Sequence, residues 1–319
     1  MQLELSTQLV GRLLRLMPGA SIASMDLPAI QARRAKGIPR NAVTTPVIGV
    51  PSRRAVWHDR ELSTDGGPIP VRVYRPDDDF RDLPVVVHFH GGGWVLGDLE
   101  SGDWLCSHLA VRGRVVVVSV DYALAPEHPF PTAVTQCVAA TRWIAEHAAE
   151  IGGDGRRLAV MGDSAGGNLA AVVALAARDA GGPDISLQVL IYPGTDATLS
   201  SPSVHRLADA PFLSRDDIEA FLHHYVGAGD RTDPRVSPLL APRHDGLPPA
   251  LVQAAEHDPL LDDARRYARV LRDAEVPVRE TVYLGAPHGY VNLSGISRPA
   301  WQALAEIVTE VRERLHVRG

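Results

Sequence analysis

From Pro84 onward the chain alternates short β-branched runs with longer helical patterns, and this alternation restricts the fold more than any other feature. Successive parallel strands need a crossover of a dozen residues or more, and the helical stretches supply it. Strands are expected at 85–90, 114–120, 157–162, 187–192, 250–255 and 278–283, with helices at 104–112, 132–150, 165–179, 262–275 and 299–315. The expected class is therefore α/β: a mostly parallel central sheet with helices on both faces. Upstream, 55–61 and 71–74 flank the turn-rich Asp65-Gly66-Gly67-Pro68 and read as an antiparallel hairpin on the sheet edge.

Two stretches break the alternation, 1–45 and 195–246, and both read as a helical cap on an α/β domain made of 46–194 and 247–319. In the first, Leu5, Leu9, Leu13, Leu16 and Met17 form an amphipathic face that suits packing on the protein's own surface. In the second, Ser214 can cap a helix carrying Ile218, Phe221 and Leu222. The 319 residues carry a formal charge of −6, with 45% apolar and 22% charged residues, which argues against nucleic acid as a partner and against disorder. No apolar run approaches the roughly 18 residues of a membrane span. The first 18 residues place Glu4 ahead of the first Arg, which is not signal-peptide order, so a cytoplasmic protein is expected. Cys106 and Cys137 lie in helical stretches without metal spacing and read as buried thiols.

The most specific signal is Gly162-Asp163-Ser164-Ala165-Gly166, a G-x-S-x-G between an expected strand and an expected helix. A serine at such a turn is held in a strained conformation with its hydroxyl thrown out over the sheet, and the flanking glycines permit the close crossing. A bare serine is a poor nucleophile and requires a base and a carboxylate to orient that base. In this kind of fold the chain order is Ser, acid, His. Asp258 follows the 250–255 strand and His288 follows the 278–283 strand, which puts both at carboxyl ends of sheet strands, where open α/β sheets carry their sites. Asp262 and Asp263 fall inside the next helix and suit its first turn. His257 precedes Asp258 and would point the opposite way, and His316 ends the last helix.

Acyl transfer also needs donors for the oxygen that becomes negative. His90-Gly91-Gly92-Gly93-Trp94 ends the 85–90 strand, so backbone amides of Gly91, Gly92 and Gly93, with that of Ala165, are the expected oxyanion hole. Neither phosphate-binding glycine pattern, G-x-x-x-x-G-K-[ST] or G-x-G-x-x-G, is present.

These segments, together with Asp121-Tyr122-Ala123-Leu124-Ala125-Pro126-Glu127-His128-Pro129-Phe130-Pro131 and Asp258-Pro259-Leu260, resemble the hormone-sensitive lipase family of bacterial carboxylesterases, over roughly 70 to 315. The resemblance implies the α/β-hydrolase fold, no cofactor, Ser164 as nucleophile, His288 as base, Asp258 as its orienter, and amides of Gly92, Gly93 and Ala165 as oxyanion donors. Two positions depart from the family pattern: Ala123, where Arg is usual, and Leu261-Asp262-Asp263-Ala264, where Arg-Asp-Glu-Gly is usual.

The function expected is a serine carboxylesterase acting on small esters of short to medium acyl chains through an acyl-enzyme. Leaving-group handling is not legible, so an amidase or deacetylase with the same triad stays open, as does a non-catalytic receptor on the same fold, although such receptors typically lose a triad member. A lipase anchored by the first 17 residues is a third reading, disfavoured by the 5% aromatic content and the lack of a long apolar lid. A homodimer is compatible with the sequence. Trp94, Phe212, Leu213 and Tyr225 are candidate acyl-pocket residues, equally at home in plain packing. His88 and His90, two apart on a strand, have no third ligand at plausible spacing, so no metal is expected. His205, His223 and His224 read as surface residues, and Glu127 and His128 as groups that fix a loop.

Overall fold

The computed structural model describes residue 4 and residues 7–11, 21–37 and 39–316. Eight strands form one sheet: β1 (Ala55–Thr64), β2 (Gly67–Pro76), β3 (Leu83–Phe89), β4 (Val116–Val120), β5 (Gly153–Asp163), β6 (Leu187–Ile191), β7 (Ala250–His257) and β8 (Val278–Pro287). Their order is β1-β2-β4-β3-β5-β6-β7-β8. β1 pairs antiparallel with β2 and β2 with β4, so the hairpin closes one edge, and every later pairing is parallel.

The principal helices are α1 (Leu27–Lys36), α2 (Asp103–Gly113), α3 (Thr132–His147), α4 (Ala165–Ala180), α5 (Pro202–Arg206), α6 (Arg215–Tyr225), α7 (Leu261–Asp273) and α8 (Arg298–Leu315). Strand side chains alternate between two cores. Val85, Val87, Phe89, Val116, Val118, Leu158 and Val160 meet the face covered by α3, α4 and α7. Val86, Val117, Ala159 and Met161 meet the face covered by α2 and α8. All seven residues of β3 and all five of β4 and β6 are buried, which is why these strands are apolar runs rather than alternating patterns.

Element boundaries shift where local chemistry intervenes. The helix expected over 132–150 ends at His147, and a tight 3₁₀ turn, Ala148–Ile151, leads to Gly152 at φ 73°. β5 starts at Gly153, earlier than expected, because it pairs with Leu83 and Pro84 across a bulge in the ladder. No described helix is long and apolar enough to cross a membrane.

Above the carboxyl ends of the strands, the N-terminal segment and α6 lean on each other. Ser214 and Asp217 form a capping box at the start of α6. The same Asp217 carboxylate accepts from Ser21 Oγ at 2.5 Å and from the Ile22 amide at 3.0 Å. Ile22 and Ile30 are buried in the same core as α4 and α6. Of the proposed amphipathic face, Leu5, Leu13, Leu16 and Met17 lie outside the described residues; Leu9 is 54% exposed, and Gly11 packs against Pro211 and Phe212.

Because one carboxylate serves both the α6 cap and the N-terminal segment, Asp217→Ala should cost about 1–2 kcal/mol in urea unfolding. It should also expose the 22–37 region to limited proteolysis. A variant as resistant as the parent would show that the segment is held by its apolar contacts alone.

Candidate active site

The turn between β5 and α4 has room only for glycines at its two ends. A Cβ on Gly162 would sit 2.1 Å from the Gly166 carbonyl oxygen, and one on Gly166 would sit 1.9 Å from the Phe89 carbonyl oxygen at the end of β3. The start of α4 is thus pressed onto the neighbouring strand end. Between these glycines Ser164 adopts φ 56° and ψ −118°, a costly conformation for a residue with a Cβ, and it stays half-buried among buried neighbours.

β7 and β8 are parallel neighbours, with His257 paired to Pro287 across them. The loops that follow therefore emerge side by side. His288 Nδ1 lies 2.7 Å from Asp258 Oδ2, and His288 Nε2 lies 2.9 Å from Ser164 Oγ. Asp258 is fully buried, and its other oxygen accepts from the Leu260 amide at 2.8 Å, which fixes the carboxylate plane. A serine hydroxyl, an imidazole and a buried carboxylate thus stand in one hydrogen-bonded line, the arrangement that an activated nucleophile, its base and an orienting acid require.

The other acidic and imidazole groups near these positions are engaged elsewhere. Asp262 pairs with Arg206 and Arg265 on the surface. Asp263 stands in the first turn of α7, but its buried carboxylate accepts from the amides of Thr195 and Asp196, at 2.8 and 2.9 Å, rather than from its own helix. That corrects the expectation for Asp263: the loop after β6 passes close enough to use the carboxylate. His316 Nε2 contacts the Gly113 carbonyl, and His257 lies 3.7 Å from Glu256.

In the glycine loop after β3, Gly92 and Gly93 have φ of 121° and 62°. Gly92 also accepts from the amides of Val95 and Leu96, closing the loop on itself. Among the described residues, no protein group accepts from the amides of Gly92, Gly93 or Ala165. Gly91 is different: its amide donates to Asp163 Oδ1 at 2.9 Å. It is therefore not available to an oxyanion, which corrects the expectation that it belongs with the other donors.

Asp163, immediately before Ser164, is a residue to which the sequence pattern assigns no structural role. Its side chain ties the serine turn to the glycine loop through Gly91, and Tyr192 OH donates to its other oxygen at 3.3 Å. Burial works against the Asp163 charge, but the imidazoles of His88 and His90 nearby and the hydrogen bond from the Gly91 amide outweigh it and hold the carboxyl below the ordinary aspartate range. His88 itself bonds Ser119 and lies 3.8 Å from Asp163, while His90 bonds the Gly91 carbonyl and stacks on Tyr122, so both imidazoles are core groups. Burial pushes the Tyr192 phenol well up, which keeps it a donor, and its ring lies 4.8 Å from that of His288. The position of Tyr192 at the carboxyl end of β6 was the available signal.

The candidate acyl-pocket residues are distributed unequally. Tyr225, the last residue of α6, is fully buried and stacks on Trp94 at 4.5 Å with rings nearly parallel, a contact that suits the packing alternative. Leu213 is buried and Phe212 is half-buried. Phe221, not singled out as a pocket residue, lies directly over Gly93: a Cβ there would be 2.3 Å from the ring. His205 and His223 are exposed and His224 is half-buried. Burial pushes the Cys106 and Cys137 thiols well up, as expected of structural cysteines.

Residues 86–292 match a protein family described as alpha/beta hydrolase fold. Carboxylesterase NlhH of Mycobacterium tuberculosis is 48% identical over 263 residues, covering 81% of this chain and 82% of that protein. Ethyl acetate hydrolase of Pseudomonas putida is 41% identical over 264 residues, covering 81% and 82%. A solved structure of a hyperthermophilic esterase from Pyrobaculum calidifontis superposes with a TM-score of 0.89 at 37% identity, covering 98% of this chain and 99% of that one.

Asp263 gives the site's surroundings a pH dependence. Burial, reinforced by the Asp196 charge, pushes its carboxyl up to about 7 against the hydrogen bonds it accepts. A carboxyl raised above its unfolded value of about 4 binds its proton more tightly in the folded state. Its contribution is thus intact below pH 4 and lost as pH rises through 7, by up to about 4 kcal/mol. Asp263→Asn keeps an acceptor for the two amides and removes the titration. The urea stability of the variant should fall less between pH 5 and pH 8 than that of the parent; parallel profiles would show that Asp263 is ionised throughout.

Proposed function

The chain belongs to the alpha/beta hydrolase fold family, in its hormone-sensitive lipase-like branch, and from that premise we propose that it is a serine carboxylesterase that works through an acyl-enzyme. The observation that carries this reading is the line Ser164 Oγ, His288 Nε2, His288 Nδ1, Asp258 Oδ2, with contacts of 2.9 and 2.7 Å. His288 takes the Ser164 proton as the oxygen attacks an ester carbonyl, and Asp258 stabilises the imidazolium that forms. The developing oxyanion faces the amides of Gly92, Gly93 and Ala165, the last at the N-terminus of the 16-residue α4, where negative charge is favoured. His288 then returns the proton to the leaving alcohol. In the second half-reaction it activates water, which releases the acid and restores Ser164.

The substrates are small esters with short to medium acyl chains. In this reading α6 lays Phe221 directly on Gly93, which puts an aromatic ring beside the oxyanion donors. The named relatives, a carboxylesterase and an ethyl acetate hydrolase, support the same class. A receptor role is disfavoured by a hydrogen-bonded nucleophile and base, since a pure binding site has no use for a strained serine.

The test is a series of p-nitrophenyl esters from acetate to palmitate with the parent and Ser164→Ala. Turnover should peak at short or medium chains after a burst of nitrophenol, and the variant should lose about 10⁴-fold or more while unfolding at the same urea concentration. Turnover in Ser164→Ala within tenfold of the parent would overturn the assignment.

A further inference from the structure

The cap grips three consecutive residues of the oxyanion loop from above. Phe221 of α6 lies on Gly93, and Tyr225 of the same helix stacks on Trp94. The third grip comes from the other part of the cap, α1. Arg34 Nε donates to the Val95 carbonyl at 2.6 Å, Nη1 to Glu127 Oε2 at 2.7 Å, and Nη2 to the Ala125 carbonyl.

These acceptors belong to one junction. The Ala125 amide donates to the Trp94 carbonyl at 2.9 Å, so segments 92–96 and 124–127 are already joined backbone to backbone. Arg34 takes the next carbonyl of each segment. Glu127 also accepts from Gln31 of α1 at 2.9 Å, which orients the carboxylate toward the same helix. Val95 in turn donates to the Gly92 carbonyl at 3.2 Å, and this is the direct link from the guanidinium to the glycines that carry the donors.

We propose that Arg34 is a positioning residue for hydrolysis: through it the N-terminal helix holds the Gly92 and Gly93 amides in the orientation that receives the oxyanion. The inference rests on the esterase reading and deepens it, because it makes the cap part of the transition-state machinery rather than only a wall for substrate. Three properties of the site support it. The side chain is mostly enclosed, with 19% of its surface exposed, so its bonds face little competition from water. Each of its nitrogens has its own acceptor, a fork that an ammonium group cannot reproduce. Two of those acceptors are backbone carbonyls, so what the group fixes is the chain path and not merely a neighbouring side chain.

A residue that only docked the cap would act differently from one that sets the donors. The oxyanion forms in both acylation and deacylation, so a misplaced donor slows both steps by a similar factor, whereas a loosened cap changes KM or the fraction of competent enzyme. A displacement of about 1 Å at a reacting centre is worth up to about 100-fold in rate.

The experiment compares the parent, Arg34→Ala, Arg34→Lys and Glu127→Gln in stopped flow with p-nitrophenyl acetate. It reads burst amplitude, burst rate and steady-state rate, with Tm measured alongside. Arg34→Ala should slow the burst and the steady state together by about 10- to 100-fold, with burst amplitude retained and KM changed by less than about threefold. Arg34→Lys should recover only part of the loss. Glu127→Gln, which leaves both backbone carbonyls their donor, should lower Tm yet keep both rates within about threefold of the parent. The proposal is overturned if Arg34→Ala keeps its rates within twofold, changes KM or burst amplitude alone, or if Glu127→Gln loses as much rate as Arg34→Ala. A parent that hydrolyses no ester would instead count against the esterase reading, and an active parent with an unaffected Arg34→Ala would count against this inference only.

Discussion

Everything at this site depends on one close approach, the first turn of α4 lying on the end of β3. Gly166 has the Phe89 carbonyl where a Cβ would be, and Gly162 has the Gly166 carbonyl in the same place. That contact bends the chain at Ser164 into a region of φ and ψ that a residue with a Cβ occupies only when its surroundings force it. It also sets the helix N-terminus and the start of the glycine loop after β3 beside each other. Strain at a single residue is offset by the packed sheet on both sides of it.

Buried charge is handled in two ways around this turn. Asp258 and Asp163 each accept amide hydrogen bonds, and Asp163 also faces the imidazoles of His88 and His90, so it remains ionised despite burial. Asp263 accepts two amides as well, but burial, with the negative charge of Asp196 added to it, moves its carboxyl up to about 7. Asp163 and Asp263 are both enclosed and bonded to backbone amides, and they differ in their neighbours, imidazoles beside the one and a carboxylate beside the other. Tyr192 joins the two halves of the arrangement, with its hydroxyl on Asp163 and its ring against His288.

The architecture was legible because β3, β4 and β6 are buried on both faces and must be written as apolar runs, while the helices between them are long enough to cross over. The edge hairpin is longer than its pattern predicts: much of β1 faces solvent, so its polar residues mask a ten-residue strand. At the site, Ser164, Asp258 and His288 were suggested by their places at strand ends, and the structure brings them within hydrogen-bond distance. The glycine pattern by itself does not separate Gly91 from Gly92, Gly93 and Ala165, whereas the family resemblance leaves Gly91 out. Which way Gly91 directs its hydrogen is decided by Asp163, a contact no local pattern encodes. The roles of Asp263 and Arg34 are hidden for the same reason, because their acceptors lie in distant segments of the chain. For Trp94 and Tyr225 the sequence leaves pocket and packing both open, because aromatic spacing does not distinguish a ring stacked on another ring from one that faces a ligand.

The claim on which the account stands is that the strained serine and the three free amides act on one carbonyl carbon and its oxygen. The most direct measurement is a crystal structure of the protein after reaction with a p-nitrophenyl alkylphosphonate, whose tetrahedral adduct imitates the transition state. The account predicts one phosphonyl group per chain on Ser164 Oγ, with an oxygen about 3 Å from the amides of Gly92, Gly93 and Ala165 and the Gly91 amide still on Asp163. A label on another residue, or an adduct whose oxygen is held by Gly91 with Asp163 released, would contradict it.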